Sequence, residues 1–162
     1  MQRLREIFAD LSLSNVDTFI ASGNVLFDSI ETSSALEPVI AAALRTSLGY
    51  EVVTYIRRTS ELRRIAAERP FGNVELTPKT NVLYVGFLHG IPATEAAARL
   101  TTVQSAVDEF CIVDREIFWL RRRQNGEALF PGSRLEKALG MPVTARNVTT
   151  INRLVAMLPA SS

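Results

Sequence analysis

Hydrophobic periodicity switches between strand-like and helix-like spacing in nearly the same order twice along the chain. This predicts an α+β fold: two ferredoxin-like (split βαβ) halves packed together, the first lacking its opening strand. Three observations carry the expectation. Residues 81–162 read strand, helix, strand, strand, helix, short extended segment, helix. Residues 1–56 read helix, strand, strand, helix, strand, which is that order without its first member. Between them Pro70, Gly72 and Pro78 interrupt both periodicities. They divide the chain into an N-terminal half with a connecting helix (1–69), a boundary loop (70–80) and a C-terminal half (81–162).

In the first half, Leu4, Ile7, Phe8 and Leu11 recur at helical spacing with charges between them, predicting an amphipathic helix over 4–13. Two β-rich runs follow, Val16–Ala21 and Val25–Phe27, joined by Ser22-Gly23-Asn24. Glycine-rich turns hold phosphates when they open a helix. Here a strand follows, and Gly-Asn between two β-rich runs is a hairpin signal because both residues tolerate positive φ. Ser34-Ala35-Leu36-Glu37 fits a capping box ahead of a helix ending near Gly49, and Glu51–Ile56 (EVVTYI) reads as a strand. Thr59–Arg69 is the connecting helix.

The second half opens on the strand NVLYVGFL from Asn81 and continues with an alanine-rich helix over Pro92–Leu100. FCIV and EIFWL form a strand pair around Asp114-Arg115. Ser133-Arg134-Leu135-Glu136 is a second capping box, opening a helix that Gly140 and Pro142 close. MPVTA is extended, and the last helix runs from Asn147 to about Leu158 with Val148, Ile151, Leu154 and Val155 on its apolar side.

In a ferredoxin-like sheet the first strand is central. Its loss leaves unpaired backbone groups on both flanking strands, each costing about 1–3 kcal/mol if buried unsatisfied, against a total stability of about 5–15 kcal/mol. Met1 is therefore expected to be an internal methionine, with about twenty residues ahead of it, a strand plus a turn. Otherwise Glu51–Ile56 must re-pair directly with Val25–Phe27, or another chain must fill the gap, so self-association through the unpaired strands is an expectation.

The composition, 47% hydrophobic and 22% charged over 162 residues, is that of an ordinary globular protein and excludes the disordered and fibrous classes. One cysteine, Cys111, excludes a disulfide framework, and its apolar neighbours suggest a buried small hydrophobe. Without an apolar run long enough to span a bilayer, or a signal-like start, the chain is expected to be cytoplasmic, with no membrane partner. The formal charge of +1 gives no global field toward nucleic acid.

Among local motifs, LYVGFL at 83–88 is similar to the first RNA-binding hexamer of RNA-recognition-motif domains, but the companion octamer is missing, and EIFWL puts Phe118 and Trp119 on opposite faces. Arg121-Arg122-Arg123 reads as a solvated strand end or an anion contact. His89 has no second histidine to make a metal site or triad. Asp108, Glu109, Asp114 and Glu116 read as solvated turn carboxylates, and no nucleotide, zinc or nucleophile-elbow motif implies a cofactor.

TFIASGNVLFDS at 18–29 together with PGSRLEKALGMPVTARNVTTINRL at 131–154 resembles a bacterial family known as domain of unknown function 1697. The resemblance implies the same fold, adds an opening strand and glycine-rich turn ahead of the first helix, and implies no reaction. It places a tryptophan where this chain has Val148.

Asn147 reads as an N-cap. The sharper expectation groups Arg146 with Arg134 as a small-anion site, with Asn147 and the turn residue Asn24 as further ligand contacts. The leading functional expectation is a ligand-binding or interaction domain for a small anion. An RNA-binding module through the 83–88 strand and an enzyme with dispersed catalytic residues are the alternatives.

Overall fold

The computed structural model describes residues 2–19, 23–77, 79–122 and 130–159. These residues form a mixed fold with six helices and two antiparallel sheets among them, and the chain divides into two compact units, 1–58 and 59–162.

The first unit contains α1 (Gln2–Asp10), β1 (Ser14–Phe19), β2 (Asn24–Asp28) and α2 (Ser33–Leu48). The expected hairpin forms. Phe19 pairs with Asn24, Gly23 turns the chain at φ +77°, and the Asn24 amide donates to the Phe19 carbonyl at 3.2 Å. A strand follows this glycine, so its N–H groups have no helix dipole behind them. Ser22 lies outside the described residues. Ile7 and Phe8 of α1 and Ile40 and Leu44 of α2 make the core, with Val16, Val25, Phe27, Val52 and Ile56 packed half-buried around it.

Two expectations fail in this unit. The N-cap of α2 is Thr32, whose hydroxyl accepts from the Ala35 N–H, and Glu37 instead accepts from the backbone N–H of Ile56 at 2.9 Å. The capping box is void because the helix begins before Ser34. In addition, 51–58 contains no strand. Val52, Val53, Tyr55 and Ile56 have strong β propensity, but propensity is realised only against a partner strand, and among the described residues the sheet of this unit consists of β1 and β2.

The second unit contains α3 (Thr59–Ala67), β3 (Asn81–Phe87), α4 (Thr94–Thr101), β4 (Asp108–Val113), β5 (Glu116–Arg122), α5 (Gly132–Leu139), β6 (Thr144–Asn147) and α6 (Val148–Met157). The strand order is β4-β5-β3-β6, all antiparallel. β3 is central, and its Val85, opposite Phe118, is fully buried, as Phe118 is.

Strand alternation assigns the two faces of this sheet. Phe110, Trp119, Tyr84, Ile117 and Gly86 share one face, which α4 and α5 cover through Leu100, Leu135, Ala138 and Leu139. Leu83, Val85, Phe87, Glu116, Phe118 and Leu120 share the other. Gly86 is required by close approach, since a Cβ there would stand 2.6 Å from a Val143 methyl and 2.7 Å from an Ile117 methyl.

Arg64 of α3 explains why the division between units falls ahead of the expected 70–80 loop. Its guanidinium lies 3.1 Å from Glu116, 3.3 Å from Asp114 and 3.7 Å from Glu68. Arg115 pairs with Glu61 at 2.7 Å. These bonds tie the connecting helix to the second sheet. The chain just past the end of α6 is joined to it by a hydrogen bond from Arg63 to the Pro159 carbonyl.

Ser133 does not cap α5, whose N-cap is Pro131 without a side-chain bond, while Glu136 accepts from the Val143 N–H at 3.1 Å. Gly140 closes the helix in the left-handed conformation, as expected.

Candidate functional site

A concavity of the second unit lies over the Leu83–Leu120 end of the sheet. The segment after α3 leaves the helix at Arg69 and passes Pro70, Phe71 and Gly72 (φ +69°). It encloses a recess of about 230 Å³ against Leu83, Leu120 and the α6 residues Val148 and Asn152. The floor is apolar because Leu83 and Leu120 are central-strand residues, and Val148 is the first apolar residue of α6. The polar groups sit at the rim: Arg69, Asn73 and Asn152.

One Arg69 nitrogen, Nη1, donates to the carbonyls of Ala66 (2.9 Å) and Glu68 (2.7 Å) and so closes the end of α3. This fixes the plane of the guanidinium, and the Nε and Nη2 donors engage no partner among the described residues. The arrangement offers a small apolar body a dry floor and an acidic group a planar, two-donor fork.

The residues expected to form an anion site do not come together. Arg146 pairs with Val85, which places its side chain on the Val85–Phe118 face, whereas α5 and Arg134 belong to the opposite face. Arg146 donates to the Thr144 hydroxyl at 3.2 Å and the Ala145 carbonyl at 3.0 Å. Arg134 stacks over Phe130 at 5.6 Å. Asn147 is the N-cap of α6, accepting from the Thr149 N–H at 2.9 Å. Asn24 belongs to the first unit.

The stacking strand is equally occupied. Tyr84 lies against Trp119 at 4.8 Å, and Trp119 in turn contacts Phe110 and Phe130, so these rings pack on one another beneath the α4–α5 layer. The opposite face of the same strand is buried.

The carboxylates thought to be solvated are ion-paired. Asp108, buried, accepts from the Trp119 indole at 2.6 Å and lies 3.4 Å from buried Arg121 across the β4–β5 ladder. Glu109 pairs with Arg122 at 2.7 Å. Glu116 is 1% exposed and held by Arg64. Arg121 and Arg122 thus hold sheet edges rather than a solvated end, while Arg123 lies outside the described residues. Burial first, then the Glu109 and Glu68 carboxylates, push the Cys111 thiol up, which keeps it protonated at neutral pH. Among the described residues no group of three His, Cys, Asp or Glu is placed to hold a metal, and no helix is long and apolar enough to cross a membrane.

The recess was invisible to sequence reading because its lining comes from four separate segments. Only the two prolines and glycine of the 70–80 loop signalled that the chain turns there.

Among solved structures, the chain is similar to the conserved bacterial protein SP0830 of Streptococcus pneumoniae. The TM-score is 0.69 at 19% identity, over 98% of this chain and 88% of that one, a likeness of fold. No curated protein matches. The model of the protein family of unknown function DUF1697 matches residues 1–118, well over half of the sequence, and the chain belongs to that family.

Proposed function

We propose that this protein is a binding domain whose second unit takes a small amphipathic anion in the recess between the 69–76 segment and α6. The observation that supports this reading is Arg69: a guanidinium fixed by two carbonyls, with two donors to spare, at the rim of an apolar hollow. The volume is below the ~300–1,000 Å³ typical of drug-sized ligands, so the ligand is a single ring or a short chain bearing one carboxylate. Asn73 and Asn152 supply amide contacts for a second polar group. Both units are assigned to the ferredoxin-like class in this reading, supported by the β4-β5-β3-β6 order of the second.

The test follows methyl NMR signals of Leu83, Leu120 and Val148 in the full chain while small carboxylates and their neutral amides are titrated. Carboxylates are expected to shift these signals and to bind about tenfold tighter than the amides, the margin of a charge-assisted bond. Asn152→Trp, which fills the hollow from the exposed side of α6, is expected to abolish the shifts. Carboxylates that leave all three signals unmoved, or that bind Asn152→Trp equally well, would refute the reading. Single-stranded RNA serves as the competing probe, and Tyr84-dependent, salt-sensitive binding would replace a small-molecule role with a nucleic-acid one.

A further inference from the structure

The strap that encloses the recess is fastened at both ends. At its start the Arg69 side chain closes α3, and the Gly72 N–H donates to the Arg69 carbonyl at 3.0 Å. At its far end the Asn81 amide donates to the Glu75 carbonyl at 2.9 Å, and the Thr77 hydroxyl accepts from the Thr80 N–H at 3.1 Å. Between Gly72 and Thr77, the residues Asn73, Val74 and Leu76 make no hydrogen bond among the described residues. Backbone bonded only to water moves at little cost. Gly72, in the left-handed conformation, has open space where a side chain would stand, so the chain can pivot there without collision.

Leu76 is the exception among the apolar residues of the lining. It stands at the recess yet is 42% exposed, while the floor residues Leu83 and Leu120 are buried. Over an unfilled hollow its methyl groups would meet few partner atoms, whereas over an apolar body they gain contacts and leave solvent. That gain exists only with a ligand in place, which is the condition for a ligand to shift the equilibrium of the strap.

We propose that residues 72–76 are a lid, pivoting at Gly72, that folds Leu76 over the recess once an amphipathic carboxylate occupies it. The proposal rests on the small-anion reading of the recess given above. Arg69 lies outside the moving part, held by the carbonyls of Ala66 and Glu68, so the fork that orients the carboxylate stays in place while the lid covers the apolar body. Release then requires the lid to open, and closure acts on the rate at which ligand leaves.

The experiment uses the full chain, with benzoate and hexanoate as probes, and follows methyl NMR signals in the presence of a neutral, soluble gadolinium chelate. Signals of Leu83, Leu120 and Val148 report occupancy, and the relaxation that the chelate imposes on Leu76 reports its exposure. At saturation the Leu76 methyls are expected to lose most of that relaxation, while Ile91, 72% exposed and outside the recess lining, keeps its own. Leu76→Ser is expected to release the probes about tenfold faster, with the floor signals still shifting. Shifted floor signals with Leu76 as exposed as before overturn the lid and leave the small-anion reading standing. So does release from Leu76→Ser at the wild-type rate. Floor signals that move for neither probe overturn both.

Discussion

Among the described residues one sheet has two strands and the other four, and the difference in burial is large. In the second unit β3 lies between β5 and β6, and the rows it joins, Val85 with Phe118 and Gly86 with Ile117, are closed to solvent. In the first unit β2 pairs with β1 alone among the described residues, and its Val25 and Phe27, packed against the α1 and α2 core, remain half-buried. Similar residue types thus reach different depths. A central strand contributes its own side chains and also seals the flanks of its neighbours, so its presence sets the burial of three strands together.

The comparison breaks if equivalent truncations cost the same. Phe118→Ala is expected to lose about 3–5 kcal/mol, the range for a fully buried aromatic, and Phe27→Ala clearly less, because solvent already reaches its ring. Urea unfolding of both variants measures the gap, and equal losses would show that β3 confers no special depth.

Gly86→Ala sharpens the same point at the crossing of β3 with β5 and β6. The new methyl must displace Val143 and Ile117, and overpacking of this kind costs about 1–3 kcal/mol. A melting temperature unchanged in Gly86→Ala would mean the crossing is slack.

The smallest effects separate true caps from apparent ones. Thr32→Ala and Asn147→Ala are each expected to cost about 1 kcal/mol, whereas Ser34→Ala and Ser133→Ala should stay within about 0.5 kcal/mol. Chemical denaturation of the four variants distinguishes them.

Element types were readable along nearly the whole chain because hydrophobic spacing is a local property: helices, the hairpin at Gly23, the glycine stops at Gly49 and Gly140 all formed. What escaped depended on partners distant in sequence. Both apparent capping boxes placed a glutamate three residues after a serine, yet Glu37 and Glu136 bond to the N–H groups of Ile56 and Val143, beyond the end of their own helices. EVVTYI had every mark of a strand except a neighbour. Asp108 and Arg121 look like solvated charges until the β4–β5 register sets them opposite each other. Arg134, in the first turn of α5, and Arg146, leading into α6, look like neighbours at helix starts, and it is the pairing of Arg146 with Val85 that sends them to opposite faces. The recess at Arg69 has no signature of its own, since four segments must fold before it exists.

The grip of Arg64 on Glu116 determines where this chain tolerates being dissected. A cut in the proline- and glycine-bearing loop, the seam that composition advertises, would carry away the guanidinium that holds the buried Glu116 carboxylate. Fragments of the C-terminal half should therefore start upstream of Thr59, keeping the helix that composition assigned to its neighbour.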